Sequence, residues 1–183
     1  MKKITYCFWS FILIICFSCN HSTFETENAI EKCTPYFTFD SVEHYYVRAD
    51  TNKSTAIERR NNLSEVERKQ LNMMYEDTAK VIADSIIYQN LEQINFIKVV
   101  VPSTKFDIIN KIFCEKNLDS YESAACIPIY RDILIFKNKN KTVGFAKVCF
   151  QCGMSLIVGA SEKTTMLYTH DDYTKLKEIL YSK

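Results

Sequence analysis

Val143-Gly144-Phe145-Ala146-Lys147-Val148-Cys149-Phe150-Gln151-Cys152-Gly153-Met154-Ser155-Leu156-Ile157-Val158-Gly159 sets two apolar runs on either side of a Cys-x-x-Cys-Gly turn, and it holds all three glycines of the chain. Glycine tolerates backbone conformations that other residues avoid, so unusual local geometry is expected here first. Just before it, Ile127 to Phe136 reads as a strand and Lys137 to Lys141 as a loop; Thr142 to Cys149 and Ser155 to Gly159 then read as two further strands. β-rich runs joined by short polar connections predict a three-stranded antiparallel meander, and Thr165 to Tyr168 suggests a short fourth strand.

Downstream, Asp171 and Asp172 suit the positive first turn of a C-terminal helix whose apolar face is Tyr173, Leu176, Ile179 and Leu180. Upstream, Phe96 to Val101 reads as a strand stopped by Pro102, followed by a helix through Cys114 with Phe106, Ile109, Ile112 and Phe113 on one stripe. Ser64 and Glu67 form a capping-box pair that starts a helix from Glu65 to Tyr75, and Asp84-Ser85 could cap another carrying Ile86, Ile87 and Leu91. Tyr36 to Phe39 and Val42 to Val47 have the aromatic and β-branched bias of strands, although neither face of the second is clean. The polar stretch from Arg48 to Asn62 reads as a surface loop or frayed helix. Together these predict an α+β fold: an antiparallel sheet with a C-terminal meander, helices packed on one face and a C-terminal helix.

The chain has 183 residues, 47% hydrophobic and 25% charged, which suits one domain with one substantial core. Its formal charge of +1 includes Lys2 and Lys3. A balance so near neutrality argues against a phosphate-tracking surface, so no nucleic-acid partner is expected. Lys137, Lys139 and Lys141 alternate with Asn138 and Asn140, as on a solvated hairpin tip.

At the N-terminus, Lys2-Lys3 precedes a short apolar run from Tyr6 to Phe17, the layout of an export signal. The run ends in Cys16-Phe17-Ser18-Cys19, preceded by Ile14-Ile15. This resembles the lipobox of bacterial lipoproteins, in which a cysteine after a small residue is acylated and becomes the mature N-terminus. The resemblance covers the first 20 residues and implies a signal peptide over 1–18 and lipidation of Cys19. It further implies a bilayer as partner and a location in the bacterial cell envelope, facing the periplasm or the exterior. Residues 19–34 are then a lipidated tether, and 35–183 a single domain. The chain also resembles the small uncharacterised lipoproteins of Gram-negative bacteria, a likeness that carries no activity.

Five cysteines beyond Cys19 remain after such processing: Cys33, Cys114, Cys126, Cys149 and Cys152. In an oxidising envelope they are expected to form disulfides, either Cys149 to Cys152 as a tight clasp or one of these to Cys114 or Cys126. Five is odd, so at least one thiol stays free or pairs between molecules. The competing readings are a zinc site built from Cys149, Cys152, Cys114 and Cys126, or a thiol-redox pair at Cys149-x-x-Cys152. The spacing is unlike that of short paired zinc modules, and the strand after Cys152 is unlike the helix that follows redox motifs of the thioredoxin type. No cofactor is otherwise expected.

Tyr130, Arg131 and Asp132 interrupt an apolar strand, and Lys147 could approach one of them across the hairpin, as an ion pair or a ligand contact. His44 reads as a half-exposed strand histidine, Met73-Met74 as core filler rather than a copper site, and His170 as part of a helix start. No serine-hydrolase elbow, phosphate loop, dinucleotide fingerprint or HExxH stands in the sequence. The expected role is a non-enzymatic binding or structural domain on a membrane tether, with an envelope protein as candidate partner; the alternative is a metal-binding or thiol-redox protein.

Overall fold

The computed structural model describes residues 33–48, 61–76, 79–116, 126–160, 167 and 169–182, all within the compact unit Cys33–Lys183. The expected leader, the expected lipidation site Cys19, most of the expected tether, the loop core at 49–60, the connection at 117–125 and most of the suggested fourth strand lie outside the described residues.

Strands β1 (Ser41–Tyr46), β2 (Ile97–Val100), β3 (Asp132–Asn138), β4 (Lys141–Cys149) and β5 (Met154–Val158) form one antiparallel sheet in the order β2-β1-β3-β4-β5. β3, β4 and β5 are the expected meander. The hairpin between β3 and β4 turns on Lys139 and Asn140, both at positive φ, the geometry that matches strand twist in a two-residue loop. Asp40 fixes this turn by accepting from the Lys139 amide at 2.8 Å.

Helices α1 (Glu65–Tyr75), α2 (Phe106–Ile112) and α3 (His170–Tyr181) complete the α+β fold. α1 has the bounds and the Ser64–Glu67 capping box read from the sequence. α3 is capped in the same way by Thr169 and Asp172. The helix expected after Asp84-Ser85 is replaced by two 3-10 turns, Ile82–Tyr88 and Leu91–Ile94, because Asn90 and Asn95 adopt left-handed backbone that stops each turn. Tyr36 to Phe39 is not a strand; only Pro35 bridges to Cys114. The strand expected from Ile127 begins at Asp132 instead, since Tyr130 gives its amide to the Met74 carbonyl rather than to a ladder.

Helices cover both faces of the sheet rather than one. On one face, Val42, Leu134, Phe136, Ala146, Val148 and Ile157 pack beneath α2 and α3 through Ile109, Ile112, Tyr173 and Leu176. On the other, Tyr45, Ile133, Ile135, Phe145 and Val158 pack beneath α1 and the 3-10 turns through Met74, Tyr88 and Leu91. This explains the unclean faces of β1: a central strand buried on both sides has no polar side to show. Met74 is core, as expected, at 2% exposure.

Two disulfides, Cys33–Cys114 and Cys126–Cys152, staple the domain, with Cα separations of 5.6 Å and 5.9 Å that suit such bonds. Cys33 and Thr34, the last two residues of the expected tether 19–34, lie within the compact unit Cys33–Lys183. Beside the disulfide at Cys33, the Thr34 carbonyl accepts from the Glu115 amide at 2.9 Å.

Candidate functional site

Among the described residues the sulfur chemistry is divided. Cys152 is bonded to Cys126 and not to Cys149, so the clasp within the Cys-x-x-Cys turn does not form. Cys149 keeps a free, buried thiol that accepts from the Ile129 amide at 3.4 Å. The reason is register. Cys149 is the last residue of β4, held inward beneath segment 126–130, while Cys152 sits in the turn beyond it and meets Cys126 on that same segment. With Cys114 bonded to Cys33, the four-thiolate set is broken up, and no group of three or more His, Cys, Asp or Glu among the described residues is arranged to hold a metal.

The second constellation is divided by strand parity. Lys147 pairs with Ile133, so it lies on the opposite face from Asp132. Of Tyr130, Arg131 and Asp132, the one it meets is Tyr130. Its ammonium donates to the Glu76 carbonyl and lies 4.9 Å from the centre of the Tyr130 ring, a cation–π contact within the core. Tyr130 and Lys147 are thus structural partners, each at most 5% exposed.

Asp132 shares its face with His44, Tyr46 and α3. His44 is 1% exposed, not half-exposed, and its Nε2 lies 2.8 Å from Asp132 Oδ1. The Tyr181 hydroxyl donates to the same oxygen at 2.6 Å. Burial first, then the Asp132 charge and hydrogen bond, push the Tyr181 phenol well above its ordinary pKa, so it stays a donor. The His44 ring stacks on Tyr46 at 5.2 Å and meets the Tyr181 edge at 5.6 Å. These contacts span 88 and 49 residues of sequence, which is why the carboxylate partner of His44 was not legible there.

Where β1 ends and β3 begins, beside the end of β4, an open cleft of about 500 Å³ lies against this network. That size falls in the range of small-molecule sites, roughly 300–1,000 Å³. Its walls are largely apolar: Tyr46, Val47, Ile129, Phe150 and Tyr181, with Cys149 at the base. Its polar groups are Arg48, Arg131, Asp132, Gln151 and Lys177. Sequence reasoning found Arg131, Asp132 and Cys149. It missed Tyr46, Phe150, Lys177 and Tyr181, which carry no local signal and converge only through the sheet and α3.

His44 does not line the cleft, whereas Asp132 does and is already engaged by two donors. An acid–base group must reach the proton it moves. The arrangement therefore orders a wall more readily than it presents a base. Comparisons of the chain with protein-family models, with curated proteins and with solved structures find no match.

Proposed function

We propose that the protein is a bacterial envelope lipoprotein, anchored through acylated Cys19, whose α+β domain binds a ligand without transforming it. The cleft at the β1–β3–β4 end carries the binding part of this reading, because it joins an apolar wall to a few convergent polar groups. The two disulfides support the address, since such bonds persist in oxidising compartments. Acyl labelling and membrane partition of the Cys19→Ser variant test the anchor. Both should be lost, and unchanged labelling would sink it. A thermal-shift screen of the full chain with small water-soluble molecules tests the binding domain, which should be stabilised by at least one class of them.

The alternative, thiol-redox or metal chemistry at Cys149 and Cys152, draws on one feature: Cys149 is a free thiol three residues from a disulfide-bonded cysteine. Non-reducing peptide mapping with metal analysis separates the two readings. The expected map joins Cys33 to Cys114 and Cys126 to Cys152. Stoichiometric zinc with free Cys126 and Cys152 would favour the alternative.

A further inference from the structure

We infer that the cleft takes a small organic carboxylate with a flat apolar body, its anion set against Arg131 and its body against Tyr46, Phe150 and Tyr181. This rests on the binding reading above and names the ligand's class.

The charge of the cleft is unbalanced. Arg48, Arg131 and Lys177 line it against a single carboxylate, Asp132. Asp132 is satisfied by His44 and Tyr181 and forms no ion pair with any of the three cations. Elsewhere on the domain, Lys69, Lys98, Lys116, Lys137 and Lys175 each have a carboxylate partner.

Arg131 is the anchor because it is both held and unspent. Its carbonyl accepts from the Val47 amide at 3.0 Å, and its own amide donates to the Ile129 carbonyl at 3.0 Å, so the backbone is fixed on both sides. Its Nε is buried and meets no acceptor among the described residues. A buried donor of a charged group is normally paired, so an unspent one in a residue that lines a cleft leaves its guanidinium short of a partner. The guanidinium offers paired donors in a plane, which match the two oxygens of a carboxylate better than a point charge would. Arg48 and Lys177, both exposed at the mouth, add attraction without dictating geometry. The aromatic and aliphatic walls then select a flat apolar body over a small hydrophilic anion.

Calorimetric titration of the full chain in a non-ionic detergent, with detergent alone as blank, tests this using 2-naphthoate and its neutral analogue 2-naphthamide. The carboxylate should bind at least about tenfold more tightly than the amide, as expected of a charged hydrogen bond. Its affinity should fall as salt is added. Arg131→Met should remove that preference while leaving the amide's affinity unchanged, and Lys175→Ala, on the exposed side of α3, should change neither. Equal affinities of the two probes for the unaltered protein would overturn the carboxylate assignment alone. Binding of neither would overturn the cleft as a binding site as well. Markedly tighter binding of 2-naphthyl phosphate than of 2-naphthoate would overturn the carboxylate class.

Discussion

A methyl group on residue 144 would sit 2.1 Å from Phe37 Cε1 and 2.4 Å from its Cδ1, so the absence of a side chain at Gly144 is what lets that ring lie on β4. Phe37 is 5% exposed and stacks 4.5 Å from Phe136, with little room to retreat. Gly144→Ala should destabilise the domain by about 1–3 kcal/mol, the usual range for overpacking, as read by urea denaturation. Phe37→Leu in the same chain should recover part of the loss. Gly153 is different: at φ 61° it needs left-handed backbone, and a side chain there would meet nothing closer than 4.0 Å. The clustering of glycines was legible as unusual geometry. That Gly144 answers to a ring 107 positions earlier was not, because extended backbone leaves no mark on its own residue.

Glu43 shows how an element's charge depends on its neighbours. On β1 it pairs with Lys98 of β2 and Lys137 of β3, each at 2.8 Å, and the Tyr45 hydroxyl donates to it at 3.1 Å. Burial by itself would raise its pKa, but the hydrogen bonds and charges of Lys137 and Lys98 outweigh that and leave it below the ordinary value. A carboxylate with a depressed folded pKa stabilises the fold above its unfolded pKa, about 4.3, and that contribution is lost as pH falls through the folded value. Stability should therefore decline as pH falls from the unfolded value, about 4.3, through the lower folded one. Glu43→Gln should flatten that decline, as measured by denaturation across the same range. Capping gives the contrasting case of a local cause. Ser64→Ala should cost about 1 kcal/mol, because the Ser64–Glu67 box lies within one turn and stands in the sequence as written. The Thr169–Asp172 box has the same spacing, yet Asp172 was read only for its charge.

At the scale of the whole molecule the two disulfides set the outline, closing loops of 81 and 26 residues in sequence separation. Loop entropy puts each bond at about 3–5 kcal/mol, so reduction should lower the denaturation midpoint sharply. Cys149→Ser, which touches neither bond, should leave the sensitivity to reductant intact. Cys33→Ser should lower the midpoint and leave a smaller further drop on reduction, because only Cys126–Cys152 then remains. The midpoint in urea with and without dithiothreitol reads all three. The odd number of cysteines from Cys33 onward implied a thiol left free or paired between molecules, and among the described residues Cys149 is free. Which one it would be depended on where β4 ends relative to segment 126–130.

Local causes carried the sequence reading. Periodicity, turn chemistry and spacing within one turn or one hairpin determined the α+β class, the meander, helix α1 and the terminal helix, because each is an agreement among residues near one another in the chain. The expected leader and Cys19 rest on the same kind of local pattern. Tertiary structure decided what depends on distant partners: Cys126 for Cys152, Asp132 for His44, Tyr130 for Lys147 and Phe37 for Gly144. It also placed layers on both faces of the sheet, and it built the cleft from strand ends and a helix that only the fold brings together. A contact across 88 residues is fixed by register and layer order, and neither is written in the residues that make it.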